Sequence, residues 1–138
     1  MQIVVFTDGG ARGNPGPAAI GGVVLRENQT VLHEFSEYIG VGTNNEAEYK
    51  AIIQAVAWLS ENIDQEISAV SFKLDSMLVV QQLGRKWRIK EARLQTLAAS
   101  CWSLLEKLSI PYSFHHVPRE QNKLADALVN QALDSHLA

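Results

Sequence analysis

The pattern of apolar and polar positions changes from a strand-like period to a helix-like period at about residue 43. Before that point, apolar and β-branched runs predict three strands, over residues 1–8, 18–27 and 31–40. The polar segment 28–30 is a short reversal between the last two strands. We therefore expect the three strands to form a meander.

After residue 43, the pattern predicts helices that alternate with strands. Thr43, Asn44, Asn45 and Glu46 have the S/T-x-x-E form of a capping box, which opens a helix that runs to about Glu61. Further along, the pattern predicts a strand at 69–74, a short helix at 77–83, an amphipathic helix at 91–108, a strand at 112–117 and a C-terminal helix that starts near Asp126. This alternation is typical of an α/β domain.

Length and composition fit a single globular domain over residues 1–138. The chain is 46% hydrophobic and 20% charged, and it has no apolar run near the roughly 18 residues that a membrane span requires. A strand-like pattern begins at residue 1 without a basic leader, so we do not expect secretion. The one cysteine, Cys101, cannot form an internal disulfide, and we interpret it as a core residue of a cytoplasmic protein, which we expect to be a monomer.

The charge balance limits how this chain can bind nucleic acid. Its net charge of −3 argues against binding through a broad basic surface. One basic cluster, residues 85–90, places four of the twelve Lys and Arg residues around Trp87. Such a cluster suits a nucleic-acid backbone, although a solvated linker with one anchoring indole has the same composition. Any nucleic-acid contact must therefore be local.

Two aspartates are predicted at the carboxyl ends of strands. Asp8 follows the first apolar run and opens a glycine-rich loop, and Asp75 follows the strand after the long helix. A poorly solvated carboxylate is costly unless a cation or a set of donors compensates it. The alternative for Asp8 is a turn aspartate bonded to the amides of Gly9 and Gly10, and the alternative for Asp75 is a helix N-cap. Both aspartates are candidate metal ligands.

Two further carboxylates lie on predicted helices. From Glu48, steps of three, four and seven residues reach alanine or isoleucine each time, so Glu48 lies on the apolar face and points toward the core. Glu46, by contrast, has a capping role and a mostly polar face. Asp126 lies at the start of the C-terminal helix beside its apolar stripe, where the helix dipole alone would favour a carboxylate.

Taken together, the four carboxylates indicate a site for divalent cations. The carboxyl ends of neighbouring parallel strands form the usual ligand crevice of an α/β sheet, where Asp8 and Asp75 can meet. Gathered acids repel one another unless cations are present, and oxygen-only ligands favour Mg²⁺ or Mn²⁺ over Zn²⁺. Two such ions about 3.5 to 4 Å apart can clamp an in-line phosphodiester displacement. No metal-binding spacing is present among the histidines, which are His33, His115, His116 and His136.

The four acids lie in short segments that follow one another in a recognisable order. These segments are Thr7-Asp8-Gly9-Gly10 with Gly13-Asn14-Pro15-Gly16-Pro17, then Thr43-Asn44-Asn45-Glu46-Ala47-Glu48, then Leu74-Asp75-Ser76, then Asn122-Lys123-Leu124-Ala125-Asp126. In this order they resemble type 1 ribonuclease H, from residue 1 to about residue 134. The resemblance implies an α/β, ribonuclease H-like fold with a mixed five-stranded sheet, the first three strands antiparallel, flanked by α-helices.

The same resemblance implies an activity and a set of site residues. The activity is endonucleolytic hydrolysis of the RNA strand of an RNA/DNA hybrid, which leaves 5′-phosphate and 3′-hydroxyl ends. Two Mg²⁺ or Mn²⁺ ions would be held by Asp8, Glu48, Asp75 and Asp126. Substrate contacts would come from Gly9, Gly10, Ala11, Arg12, Gly13, Asn14, Asn44 and Asn45 along the minor groove, from Thr43 on a DNA phosphate, and from Trp87 and Lys90 in the basic cluster. The minor groove displays the 2′-hydroxyls that distinguish RNA from DNA.

The chain departs from the family pattern at three places. The loop before the last acid, where family members often carry a histidine, looks shortened, so we name Arg119 as a possible auxiliary residue and do not assign that role to His116. The basic protrusion of many bacterial members is reduced to residues 85–90, which predicts weaker and strongly salt-dependent binding. Met77 stands where some members have a glutamine that reaches a base.

Two other functions remain compatible with the residues. One is a non-catalytic module that binds RNA/DNA hybrids on the same scaffold. The other is a related nuclease that acts on double-stranded RNA or branched DNA. The complete set of four acids favours an enzyme, and the asparagine pair with the glycine loop favours hybrids.

Overall fold

A computed structural model describes residues 1–62 and 67–137 of the chain. Their elements are β1 (Gln2–Ala11), β2 (Gly16–Arg26), β3 (Val31–Gly42), α1 (Asn44–Asn62), β4 (Ala69–Leu74), α2 (Met77–Leu83), α3 (Ala92–Leu108), β5 (Tyr112–His116) and α4 (Lys123–Leu137). Every element predicted from the periodicity is present, with ends that differ by a few residues. In the described part of the chain, no helix has the length and apolar character needed to cross a membrane.

The five strands form one mixed sheet in the order β3-β2-β1-β4-β5. The pairs β1–β2 and β2–β3 are antiparallel, and the pairs β1–β4 and β4–β5 are parallel. This confirms the predicted α/β architecture, in which the first three strands are antiparallel. The parallel pairing brings the carboxyl ends of β1 and β4 to the same edge of the sheet.

Helices cover both faces of the sheet. Ile20 packs into the larger core with α1 and α3, whereas its neighbour Ala19 packs into a smaller core with Val129 and Leu133 of α4. Because successive strand residues point to opposite faces, α1 and α4 lie on opposite sides of β2. Cys101 is fully buried in the larger core, as expected from the sequence.

The glycine-rich stretch after Asp8 corrects the predicted strand end. β1 continues through Gly9 and Gly10 to Ala11, so Asp8 lies inside a strand and not at the start of a loop. Gly9 is required by packing, because a Cβ atom there would lie 2.2 Å from the backbone carbon of Ala47 in α1. In a sequence pattern, a glycine that allows a helix to pack closely cannot be distinguished from a loop glycine. The strand was therefore predicted to end at Asp8, three residues too early.

The start of α1 has the predicted capping box. The backbone N–H of Glu46 donates to Thr43 Oγ1 at 3.1 Å, and the N–H of Thr43 donates to Glu46 Oε1 at 3.2 Å. This reciprocal pair satisfies two amides that a helix start leaves without partners. It also fixes where α1 begins, and therefore which of its side chains face β1.

Candidate active site

Asp8 in β1 and Asp75 just after β4 lie at the same edge of two neighbouring parallel strands. Phe6 of β1 pairs with Lys73 of β4, and each aspartate is two residues further along the chain, so that Asp75 directly follows the last residue of β4, Leu74. The N-cap of α2 is Ser76, whose side chain accepts from the N–H of Val79 at 3.3 Å. The alternative role of Asp75 as the cap is therefore excluded, and its carboxylate is available to the cleft.

Glu48 reaches the same place from α1. Its side chain is buried, as the apolar face of the helix predicted, and Oε1 accepts a hydrogen bond from the backbone N–H of Gly9 at 3.1 Å. The absence of a side chain at Gly9 allows this short distance between α1 and β1. The second oxygen, Oε2, is buried and has no hydrogen-bond partner among the described residues.

Asp126 approaches from the opposite face of the sheet, in the first turn of α4. The start of this helix is tied to β1 by Asn122, whose Nδ2 donates to the carbonyl oxygen of Thr7 at 2.8 Å. Asn122 is almost fully buried, and Thr7 directly precedes Asp8. This hydrogen bond holds the start of α4 against β1, and it thereby keeps Asp126 near Asp8.

Three of the four predicted acids form a tight group. Asp8, Glu48 and Asp75 each offer an oxygen within 4.8 Å of the others. Asp126 lies outside that group, although its charge contributes to the raised pKa of Asp8. All four line one open cleft. The structure therefore brings the predicted acids together, with Asp126 at the margin.

Burial and mutual repulsion make the ionised form of this group costly. Burial raises the pKa of Asp8 from 3.8 to about 7, the neighbouring Glu48 side chain opposes this shift, and the charges of Asp75 and Asp126 add to it. Burial and the neighbouring Asp8 carboxylate also raise the pKa of Glu48 well above its usual range. Carboxylates with raised pKa values that share a site are typical of functional sites. A divalent cation would stabilise the ionised form, and the unpartnered Oε2 of Glu48 is a ready oxygen ligand for it.

Six of the predicted substrate residues line the acidic cleft: Gly9, Gly10, Ala11, Arg12, Asn44 and Asn45. Two hydrogen bonds hold this wall together. The N–H of Ala11 donates to Asn44 Oδ1 at 2.8 Å, and the N–H of Asn44 donates to Asn14 Oδ1 at 3.0 Å. Asn14 thus positions Asn44 and does not itself line the cleft. Gly13, at φ +93°, lies in the turn between β1 and β2.

The remaining predicted contacts lie outside the acidic cleft. Thr43 caps α1 and is half-buried. Trp87, 48% exposed, and Lys90 lie on the segment between α2 and α3, where Trp87 borders a separate surface depression with Arg85 and Trp102. The guanidinium of Arg85 stacks over the Trp102 ring at 3.8 Å. The structure thus places the basic cluster as a second surface next to the core of α3, not as part of the acid site.

Arg119 and His116 both line the cleft beside Asp75. Arg119 Nε lies 3.9 Å from Asp75 Oδ2, and its side chain is 84% exposed. His116 is the last residue of β5, the strand next to β4, so it reaches the same edge of the sheet as Asp75. The sequence analysis did not assign the role of the loop histidine to His116. Its position at the end of a parallel strand is the signal that places it at the cleft.

Two asparagines also contribute to the site and were not predicted from their residue type. Asn122 links α4 to β1, and Asn130 lines the cleft four residues after Asp126. The spacing of four on a helix is a signal that the two side chains are neighbours. Only the structure indicates which groups they contact.

The strand order and the converging acids define the class of ribonuclease H-like folds. A family model described as "Reverse transcriptase-like" matches residues 6–132. A bifunctional protein of Mycobacterium tuberculosis is 38% identical over 136 residues, which are 98% of this chain and 36% of that protein. Ribonuclease HI of Halobacterium salinarum is 38% identical over 133 residues, which are 96% of this chain and 65% of that protein.

The solved structures agree with this class. The structure of LC11-RNase H1, isolated from compost by a metagenomic approach, has a TM-score of 0.94 and 42% identity and covers 99% of each chain. Another structure of LC11-RNase H1 contains an RNA/DNA hybrid, and it matches with a TM-score of 0.90. The chain belongs to the type 1 ribonuclease H family. It spans only 36% and 65% of the lengths of the two curated relatives.

Proposed function

We propose that this chain is a metal-dependent endoribonuclease that hydrolyses the RNA strand of RNA/DNA hybrids. The proposal rests mainly on the acid group, in which Asp8, Glu48 and Asp75 place oxygens within 4.8 Å of one another in an open cleft. Asp8 and Glu48 are buried, and such a group is unfavourable for folding because unpaired buried charges are costly. Its presence is best explained by a function that needs the acids together.

We propose that Asp8, Glu48, Asp75 and Asp126 hold two Mg²⁺ or Mn²⁺ ions. The donor set consists of oxygen atoms only, and Glu48 Oε2 has no competing partner in the described part of the chain. Bound there, such ions would supply the chemistry that activates water as a nucleophile and stabilises the leaving oxygen of a phosphodiester, which would yield 5′-phosphate and 3′-hydroxyl ends. The chain contributes the fixed geometry, because Gly9 and Asn122 hold α1 and α4 against β1.

The walls of the cleft would bind and orient the hybrid. Asn44 and Asn45 lie on one wall with the backbone of β1, where they can contact the minor groove and its 2′-hydroxyls. The structural relative LC11-RNase H1 has been solved with an RNA/DNA hybrid, which supports the same substrate here. We propose that Gly13, Asn14 and Thr43 support this wall, and that Trp87 and Lys90 contact the hybrid further from the acids.

Arg119 is the proposed auxiliary residue. Its exposed guanidinium next to Asp75 is free to approach a phosphate at the acid site, where it would stabilise the negative charge that develops during hydrolysis. His116 has a similar position and can carry a proton. Their separate replacement distinguishes a charge role from a proton-transfer role.

A digestion panel tests the proposed function. The RNA strand is labelled in an RNA/DNA hybrid and in duplex RNA, with duplex DNA and a branched DNA as further substrates, and each is incubated with Mg²⁺, Mn²⁺ or chelator. We expect metal-dependent cleavage of the hybrid and products with 5′-phosphates. Equal cleavage of duplex RNA or branched DNA would indicate the related nuclease, and binding of the hybrid without cleavage under any condition would indicate the non-catalytic module.

We further propose that residues 1–138 act as one monomeric ribonuclease H domain in the cytoplasm. The single sheet shared by all five strands and the buried thiol of Cys101 support this view. Light scattering after gel filtration is expected to give a mass near 15.2 kDa. A mass of twice this value would contradict the monomer.

A further inference from the structure

Asn130 lies between the acid site and the glycine-rich wall of the cleft. Its Nδ2 atom donates to the carbonyl oxygen of Asp126 at 3.1 Å and to Asp126 Oδ2 at 3.4 Å. Its Oδ1 atom accepts from Arg12 Nη2 at 3.4 Å. This one amide therefore joins the acid at the margin of the site to Arg12, which directly follows β1.

The chemistry of the two neighbours permits only one orientation of this amide. A guanidinium can only donate hydrogen bonds, so the oxygen of Asn130 must face Arg12. An ionised carboxylate can only accept, so the nitrogen must face Asp126. Arg12 is itself held by Asp134 of α4, with Nη2 2.6 Å from Oδ1. The orientation of the Asn130 side chain is thus set from both sides.

Asp126 has more need of such a partner than the other three acids. It is half-buried and lies outside the tight group of three, and its helix is joined to β1 through Asn122, a full turn away. A donor on one carboxylate oxygen restricts the rotation of the carboxylate and leaves the other oxygen without a competing bond from Asn130. Partners of this kind orient the ligands of a metal site and affect its affinity.

We propose that Asn130 is a positioning residue that orients the Asp126 carboxylate toward the divalent-cation site. This inference rests on the proposed function of the acids. The hydrogen bonds of Asn130 go to Asp126 and Arg12, and none goes to the three-acid group. Its action is through Asp126, so its loss should change the response to metal and leave hybrid binding nearly unchanged.

Three variants on α4 test this role. Asn130→Leu keeps the size and removes both polar atoms, Asn130→Gln restores a donor that can reach a carboxylate one turn back, and Gln131→Leu adds the same apolar side chain at an exposed position outside the cleft. For each, the measurements are the Mg²⁺ concentration at half-maximal cleavage, the KM for hybrid and the Mg²⁺-dependent rise in Tm. Asn130 is exposed, so we expect all three variants to fold.

We expect Asn130→Leu to raise the half-saturating Mg²⁺ concentration by roughly 10-fold and to reduce the Mg²⁺-dependent rise in Tm, with an unchanged KM. Asn130→Gln should stay within about 3-fold of the wild type. An Asn130→Leu protein with a normal Mg²⁺ response, or a Gln131→Leu protein with the same defect, would overturn the inference. If the wild type cleaves no hybrid, the proposed function fails separately, and the Tm measurement still decides whether Asn130 acts on the metal site.

Discussion

Replacement of Asp8 by asparagine separates the function of the acid group from its cost to folding. Asparagine keeps the size and shape of the side chain and removes one negative charge from the group that also contains Glu48 and Asp75. The pKa of Asp8 is raised from 3.8 to about 7. At about 1.4 kcal/mol per pKa unit, this rise corresponds to a free energy of about 4 kcal/mol. This is an upper limit for the stability that the wild type loses when Asp8 ionises without metal.

The sign of the pH dependence follows from the raised pKa. Between about pH 4 and pH 7 the unfolded chain has lost the Asp8 proton while the folded chain retains it, so the wild type becomes less stable as pH rises through this range. Asp8→Asn lacks this titration. In chelator, the variant should therefore be more stable than the wild type by about 2 to 4 kcal/mol at pH 8, and the difference should shrink toward pH 4.

The assay combines urea unfolding in chelator at pH 4.5 and pH 8 with cleavage of a labelled hybrid in Mg²⁺. We expect Asp8→Asn to lose cleavage by more than about 100-fold, because even the partners of metal ligands affect activity by 10- to 100-fold. Glu27→Gln, which neutralises an exposed acid away from the acid group, is the matched control and should change neither property. An Asp8→Asn protein that is less stable than the wild type at pH 8, or that cleaves at the wild-type rate, would refute the reasoning.

Three further predictions follow from the same geometry. Mg²⁺ should raise the Tm of the wild type more at pH 8 than at pH 5, since the cation must displace protons from Asp8 and Glu48 at low pH; an equal rise at both pH values would argue against these ligands. Gly9→Ala should destabilise the fold by about 3 kcal/mol in urea, because its Cβ would lie 2.2 Å from the backbone of α1, and a stable variant would contradict that contact. Arg119→Ala should lower kcat by about 10-fold or more at all pH values, because it removes a positive charge. Loss of a proton carrier at His116 would instead change the pH profile. An Arg119→Ala protein with the wild-type kcat would show that Arg119 has no role in cleavage.

The sequence was sufficient to predict the elements and the burial of Glu48, for physical reasons that the structure bears out. Helical spacing placed Glu48 on the buried face of α1, and the capping box located the start of that helix. The family resemblance supplied the mixed five-stranded sheet with its first three strands antiparallel, whereas the strand order β3-β2-β1-β4-β5 came from the structure. Parallel pairing of β1 and β4 then brings Asp8 and Asp75 to one edge.

Other features depended on contacts between distant parts of the chain. Gly9 looked like a loop residue, but its role is to admit the backbone of α1, some forty residues away in the sequence. Asn130 is four residues from Asp126, a spacing that makes the two side chains neighbours on a helix, but its contact with Arg12, 118 residues away in the sequence, is visible only in the structure. The placement of Trp87 away from the cleft likewise follows from how the segment after α2 packs near Trp102. Local patterns carry no information on such contacts.

The central claim is that acids from β1, α1, β4 and α4 bind divalent cations at one site. Calorimetric titration of metal-free protein with Mn²⁺ at pH 6, in buffers of different ionisation enthalpy, measures both binding and the release of protons. We predict that the wild type binds Mn²⁺ with proton release, because Asp8 and Glu48 have raised pKa values, and that Glu48→Gln loses most of this binding. Equal Mn²⁺ affinity in the wild type and in Glu48→Gln, or no Mn²⁺ binding by the wild type, would contradict it.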